Sequence, residues 1–454
     1  MKKSVATASL YCFLVSGMAL LFFRNSSPGT REQTSQELSL GKNSSVDGCK
    51  GKRVFVYDLP SEFNSQLLER CNSGIVNWLN FCDHVSNDGF GQPVPQEFEP
   101  LLGKGWYKTD SYMLEVIFHR RMASYECLTD DPARANAFYV PYYAGLDALH
   151  YLYNPGANKS LHGAGVAEWL ERNAARKFWD EEQGGGGRDH FVVMGRTAWD
   201  FGAGSNPDLD RWGTPILASP KFSSMSVLFV EKNPWDPRRR QHAVPYPTAF
   251  HPGSRGELGD WVARVRGSRR SYLFAFAGAP RPSQEASIRS LLLDQCVGEA
   301  SARCKFVDCG ERRCGHDPAP IAAAFLSAEF CLQPRGDSAT RRSVFDAIVA
   351  GCIPVFFHED SAYSQYTWHL PDDPRGYSVF VREEEIKGGN VSISEVLGRF
   401  PREEVAAMRA RLLEMAPRLI YAHGGGSDRL EGDAFDVAIQ RVLEEAAHGS
   451  IARG

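Results

Sequence analysis

The chain has 454 residues, with 51 lysines and arginines against 55 aspartates and glutamates, for a formal net charge of -4. That length holds two or three domains, and the slight acidic excess excludes a general nucleic-acid binder. With 43% hydrophobic and 23% charged residues, the composition is that of a folded globular protein and excludes a disordered or collagen-like one.

Lys2 and Lys3 precede an apolar run from Val5 to Phe23, which Arg24 closes. About 20 apolar residues cross a bilayer as a helix, so 5–23 is predicted to be a transmembrane signal-anchor. The basic flank leaves residues 1–4 as a cytosolic tail and the body of the chain on the other side. A cleaved signal peptide is the competing reading; the long apolar core and the lack of a small-x-small cleavage site disfavour it. Residues 24–50, rich in Ser, Gly, Asn, Thr and Gln, predict a flexible stem. Of eleven cysteines, Cys12 lies in the anchor and ten follow it, an even number that fits disulfides in an oxidising compartment. Cys71 and Cys82 are candidates to close a local loop. Cys296, Cys304, Cys309 and Cys314 form a second cluster that lacks the CxxC pairs and His pair of a zinc site, so no metal is expected. Glycosylation sequons begin at Asn43, Asn158 and Asn390.

Residues 51–245 read as a first domain of alternating strands and helices. Val54–Tyr57, Ala137–Val140, Phe191–Met194 and Ser226–Glu231 are predicted strands, and 111–126 and 166–179 predicted helices. Such alternation implies a doubly wound α/β domain. Three acids follow strand ends: Asp58, Asp147 and Asp200. Ligands bind at the carboxyl ends of strands in open α/β sheets, so each is a candidate general base, or else an ordinary helix cap. Tyr142, Tyr143, Trp199 and Trp212 are candidates for a sugar-stacking wall, or for core packing.

Residues 246–270 read as an inter-domain linker, with a helix over 261–270 at its end. The second domain, 271–400, opens with the strand Ser271–Phe276, after which Gly278 and Arg281 sit at a strand's carboxyl end. A helix covers 288–296. The central stretch is EFCLQPRGDSATRRSVFDAIVAGCIPVFF, 329–357. It reads as strand, polar loop, helix and strand, the βαβ pattern of a parallel sheet. Asp337 or Ser338 is expected to cap the helix. A helix start with Gly336 nearby and guanidinium groups on Arg335, Arg341 and Arg342 suits a nucleotide diphosphate. Asp346, lower on the same helix, is placed to accept hydrogen bonds from ribose hydroxyls. An ordinary βαβ unit with a solvated basic face explains the same spacing. Closing helices are predicted within 392–413 and 434–446, the latter in a C-terminal segment, 401–454.

The set FVYDLP, FYVPYYAGLDA, FAFAGAPRP, LQPRGDSATRRSVFDAIVAGCIPVFF and YSQYTWHLP resembles the exostosin-like glycosyltransferases of family 47, in their plant xyloglucan galactosyltransferase branch. The resemblance runs from Val54 onward. It implies a GT-B fold, in which two Rossmann-like domains face each other across a cleft, on a single-pass type II Golgi membrane protein. It implies a UDP-sugar donor, a polysaccharide acceptor and inversion at the anomeric carbon. Asp346 would then bind ribose, and Arg281, Arg341 and Arg342 would neutralise the leaving diphosphate, which makes a metal unnecessary. A base from the first domain would deprotonate the acceptor, Asp147 before Asp200. Arg335 stands where much of this branch is expected to carry Gln or another residue, which leaves the donor sugar open among galactose, arabinose, xylose, galacturonic acid and glucuronic acid. The alternatives to a xyloglucan galactosyltransferase are a transferase for another wall polysaccharide and a non-catalytic polysaccharide-binding scaffold. Association with itself or with other transferases is compatible with each.

Overall fold

Ten strands form two five-stranded, wholly parallel sheets in a computed structural model. The structure describes residues 47–72, 80–154, 156–173, 176–179, 186–202, 212–236, 240–280, 287–298, 302–312, 314, 317–389, 391–424 and 428–451. The expected anchor, most of the stem, the sequons at Asn43 and Asn390 and the site candidate Arg281 lie outside them. Among the described residues no helix is long and apolar enough to cross a membrane.

The first sheet holds β1 (Val54–Val56), β2 (Ala137–Val140), β3 (His190–Thr197), β4 (Ser226–Glu231) and β5 (Gln241–Ala243) in that order. The second holds β6 (Tyr272–Gly278), β7 (Cys304–Asp308), β8 (Ala328–Gln333), β9 (Ile353–Phe356) and β10 (Val379–Phe380), in the order β10-β9-β8-β6-β7. Nine helices matter below: α1 (Leu114–Ala123), α2 (Ala144–Leu152), α3 (Arg255–Gly267), α4 (Arg289–Val297), α5 (Pro318–Leu326), α6 (Ser343–Val349), α7 (Glu383–Lys387), α8 (Arg402–Met415) and α9 (Ala434–Ile451). Apart from Arg196 and the first and last residues of each strand, every residue of β2, β3, β4 and β9 is apolar or small, and all are buried. Strands covered on both faces read this way.

Several expectations change. The first sheet runs in sequence order without reversal, so it is not doubly wound; the reversal belongs to the second sheet, where β6 has β7 on one side and β8 on the other. The 246–270 stretch is not a bare linker. It carries α3, which starts at Arg255 because the Ser254 side chain accepts the Glu257 N–H. Trp261 on α3 donates its indole N–H to the Val349 carbonyl at 2.8 Å and fixes the helix on the second half. The predicted 392–413 helix breaks before Arg402 at Pro401, which lacks the N–H a continuous helix would need. Strands β5, β7 and β10 were not anticipated.

The ten cysteines after Cys12 form five disulfides: Cys49–Cys127, Cys71–Cys82, Cys296–Cys304, Cys309–Cys314 and Cys331–Cys352. The last ties β8 to the residue before β9, inside the central unit.

Residues 49–454 make one compact unit, and the two halves are joined by buried polar contacts. Tyr366 donates to the Val230 carbonyl at 2.9 Å, and Gln365 exchanges hydrogen bonds with the Lys232 backbone. The C-terminal segment returns to the first half. Asp433, wholly buried, accepts from Arg121 on α1 at 3.1 Å and from the Ala422 N–H at 2.9 Å.

Glu115 braces the first half from within. It is wholly buried on α1 and accepts the N–H groups of Gly145, Leu146 and Gly195, at 2.5, 3.3 and 2.8 Å, which joins α1 to the start of α2 and to β3. Burial pushes its carboxyl up to about 8, against the pull of these donors and of Arg196. The folded chain therefore holds a proton that the unfolded chain releases near 4.5. This contribution to stability is full below that value and is lost as pH rises through about 8. Thermal melts at intervals across this window should show wild type losing stability relative to Glu115→Gln as pH rises; parallel curves would contradict this.

Candidate active site

A cleft of about 1000 Å³ opens between the halves. Its second-half wall lies at the carboxyl ends of β6 and β8, where the strand order reverses. Such a reversal splays the loops that leave adjacent strands and creates a crevice. The loop from β8 to α6, residues 334–342, forms the floor of this wall. Its ends are pinned by Gln333 and Ser343: the Ser343 hydroxyl donates to Gln333 Oε1 at 2.6 Å, and Gln333 Nε2 donates to the Ser343 carbonyl at 3.2 Å. Within the loop the Gly336 N–H bonds the Ser338 carbonyl at 3.0 Å.

The loop is held from across the cleft. Glu231, the last residue of β4, is 7% exposed. Its Oε2 accepts the Ser338 hydroxyl at 2.8 Å, the Thr340 N–H at 2.7 Å and the Thr340 hydroxyl. The Ala339 N–H also bonds this carboxylate. Burial raises the Glu231 pKa, and these bonds oppose the rise.

Four arginines line the cleft among the described residues: Arg196, Arg289, Arg341 and Arg342, beside Asp200, Asp337 and Asp346. Arg289, at the start of α4, is almost wholly buried and donates from Nε to the Arg335 carbonyl at 2.9 Å. A β-carbon on Gly336 would lie 2.8 Å from Arg289 Nη2 and 3.3 Å from Arg341 Nη1. Glycine at 336 is thus required for two guanidinium groups to close on the loop. Arg342 donates to the Thr109 carbonyl in the first half at 2.5 Å and lies 3.4 Å from Asp346. Burial raises the Asp346 pKa, while Arg342 and the Ala249 N–H favour its ionised form. The cleft also has an apolar lining of Ala277, Ala279, Ile321 and Ala322, together with the Cys309–Cys314 disulfide.

On the first-half side, Arg196 donates from Nε to Asp200 Oδ2 at 2.7 Å and lies 4.5 Å over the Tyr112 ring. Burial works against the Arg196 charge, but Asp200 and nearby tyrosines outweigh it and hold its pKa above the ordinary value. Trp212 donates its indole N–H to Asp200 Oδ1 at 2.6 Å. Trp199, Trp212 and Tyr153 stand at the cleft rim, between 39% and 43% exposed.

The structure brings Gly336, Asp337, Ser338, Arg341, Arg342 and Asp346 together in the cleft, with Asp200 facing them. It separates the others. Arg335 turns away from the cleft and forms a two-pronged pair with Glu383 on α7, at 2.9 and 2.7 Å, because a buried carboxylate there needs a cation. Asp147 does not line the cleft. Its Oδ2 accepts the Tyr142 hydroxyl and lies 3.5 Å from His162 Nε2, beside a separate small pocket. Asp200 does line the cleft, but both its oxygens are bonded to Arg196 and Trp212. Neither carboxylate is placed as a free base. Ser338 does not cap α6, which starts five residues later; its hydroxyl serves Glu231 instead. Of the four expected wall aromatics, Tyr142 and Tyr143 are buried in the core, and only Trp199 and Trp212 reach the cleft. Among the described residues no cluster of three or more His, Cys, Asp or Glu side chains is placed to hold a metal ion.

Two site residues escaped the sequence reading. Glu231 ends a strand on the cleft side, the same signal that singled out Asp58, Asp147 and Asp200. Arg289 opens α4, the helix that follows β6 in the chain, a position that faces the strand ends.

Two parallel sheets with an arginine-lined crevice at a strand-order reversal have the geometry that open α/β proteins use for phosphorylated ligands. The Exostosin GT47 domain matches residues 48–397, and the chain belongs to this family. It is 43% identical over 399 residues to xyloglucan galactosyltransferase MUR3 of Arabidopsis thaliana, covering 88% of this chain and 63% of that protein. It is 42% identical over 400 residues to xyloglucan galactosyltransferase XLT2 of the same plant, covering 87% and 75%. It is also 38% identical over 414 residues to xyloglucan-specific galacturonosyltransferase 1, covering 90% and 60%. The chain therefore spans somewhat under two thirds of the length of MUR3 and of the galacturonosyltransferase.

Removing the Glu231 carboxylate leaves buried donors on Ser338, Ala339 and Thr340 without an acceptor. Glu231→Ala should lower unfolding free energy by about 3 kcal/mol. A urea titration whose midpoint matches wild type would contradict the bridge.

Proposed function

We propose that the chain is an inverting glycosyltransferase that moves galactose from UDP-galactose onto the side chains of xyloglucan. The observation that carries this reading is the guanidinium cluster around Gly336, set in a chain 43% identical to a xyloglucan galactosyltransferase. The two parallel-sheet halves are arranged, on this reading, as a GT-B pair with donor and acceptor meeting in the cleft.

Sugar transfer places growing negative charge on the departing diphosphate. Fixed cations at that point stabilise the transition state more than the ground state. Arg289 and Arg341 converge on Gly336 and are the groups proposed to do this; Arg281, outside the described residues, is proposed to join them on the family resemblance alone. Asp346 receives the ribose hydroxyls, and the apolar wall of Ala277, Ala279, Ile321 and Ala322 takes the uracil. Guanidinium groups supply the charge that a metal supplies in other transferases, so transfer is proposed to be metal-independent. Arg335 is neutralised by Glu383 outside the cleft, so it is not positioned to meet a uronic acid carboxylate on the donor. We further propose that residues 5–23 anchor the chain in the Golgi membrane as a single-pass type II protein, with the disulfide-bearing body in the lumen. The apolar run and the five disulfides support this.

The test is transfer of labelled galactose from UDP-galactose to galactose-free xyloglucan by the full chain, with and without chelator. Product should form under both conditions. Arg341→Ala and Asp346→Ala should each lower kcat/KM by about 100-fold, the equivalent of one lost charge-assisted contact. Transfer of galacturonic acid but not galactose would favour the second reading, a galacturonosyltransferase. Failure to bind UDP would point to a non-catalytic scaffold.

A further inference from the structure

Large aromatic side chains are rarely left half in water without a reason. Tyr153, Trp199 and Trp212 are 41%, 43% and 39% exposed, and all three line the first-half rim of the cleft. The Trp212 ring centre lies 6.1 Å from that of Trp199, tilted by 38°, and 5.1 Å from that of Tyr153, edge-on at 72°. The three form one continuous patch. By contrast, Trp235, the most exposed tryptophan among the described residues, does not line the cleft.

The patch is also held in place. The indole N–H of Trp212 is spent on Asp200 at 2.6 Å. Asp200 is 2% exposed and is itself fixed by Arg196 Nε at 2.7 Å, whose guanidinium rests over Tyr112. The ring therefore presents its face and not its donor to the cleft. Arg196 and Asp200, which line the cleft with it, are paired with each other.

We infer that Tyr153, Trp199 and Trp212 form a stacking shelf for the pyranose rings of the polysaccharide acceptor, and that Asp200 is the positioning residue that aims the Trp212 indole. A pyranose has an apolar face of C–H groups and a polar edge of hydroxyls, so it pairs with an exposed aromatic face without a partner charge. More than one ring suits a chain of sugars. The shelf and the arginine cluster line the same cleft, so a chain on the shelf lies in the cleft where the donor sugar is proposed to sit. This inference rests on the glycosyltransferase reading and names the acceptor's subsite within it.

The experiment is steady-state transfer with a xyloglucan oligosaccharide as the varied acceptor, beside calorimetric titration with UDP, on the full chain. Trp212→Ala and Trp199→Ala should each raise the acceptor KM about tenfold, leaving UDP affinity within about twofold of wild type. Trp212→Phe keeps a ring face and leaves Asp200 paired with Arg196, so it should recover most of the lost affinity. Asp200→Asn retains a carbonyl oxygen for the indole and should raise the acceptor KM less than Trp212→Ala does. In the double variant Asp200→Asn/Trp212→Ala, the acceptor KM should match that of Trp212→Ala alone.

Unchanged acceptor KM in both tryptophan variants would overturn the shelf while leaving the transferase reading intact. Weaker UDP binding with an unchanged acceptor KM would overturn it in favour of a nucleobase platform. An additive effect of Asp200→Asn on acceptor KM in the double variant would overturn the positioning role. A wild-type chain that neither binds UDP nor transfers sugar would instead defeat the underlying transferase reading.

Discussion

The structure depends on one carboxylate. Glu231 ends β4 in the first half, yet its partners are Ser338, Ala339 and Thr340 in the second. A loop between a buried strand and a short helix carries N–H groups that neither element satisfies. Burying an anion against those donors removes the deficit on both sides, because the carboxylate needs donors as much as the loop needs an acceptor. One consequence is that Ser338, Ala339 and Thr340 have a partner within the chain and do not depend on a ligand for it. Another is that the cleft is bounded by two halves already in register, helped by Gln365 and Tyr366, which lock onto the same end of β4.

The rest of the site follows from that shape. Gly336 leaves room for Arg289 and Arg341 to approach, and Arg342 reaches back to Thr109 while supporting Asp346. The cleft combines an apolar lining at Ala277 and Ile321, cations around Gly336 and aromatic rings at Trp199 and Trp212. On the proposed reading these surfaces serve a base, a diphosphate and a sugar chain. The chemistry asked of the protein is then mainly electrostatic: cations fixed before the reaction begins, in a place where charge will grow.

Much of this was legible in the sequence, for physical reasons. Strands buried on both faces read as apolar runs, so β2, β4 and β9 were found nearly to the residue. The central βαβ unit also carried its arginines and Asp346 on a contiguous segment, where spacing alone brings them together. What failed was long-range pairing. Arg335 and Arg341 are indistinguishable in the sequence, and only the position of α7 shows that Glu383 draws Arg335 out of the cleft. Asp147 and Asp200 looked alike as acids near strand ends, but the first is tied to Tyr142 and the second to Arg196 and Trp212. Glu231 carried the same strand-end signal and was passed over because nothing local marks a partner about a hundred residues away. Strands β5, β7 and β10 were missed because β5 is three residues long in a Pro- and Arg-rich stretch, β7 mixes Lys305 and Asp308 with apolar residues, and β10 is two residues long.

The central claim is that the loop between β8 and α6 is the nucleotide site. Amide hydrogen exchange on the full chain, compared with and without saturating UDP, tests it most directly. The account predicts slower exchange in 335–343 and at the start of α4, with 144–152 around Asp147 unchanged. Protection confined to the Asp147 region, or none in 335–343 with UDP demonstrably bound, would contradict it.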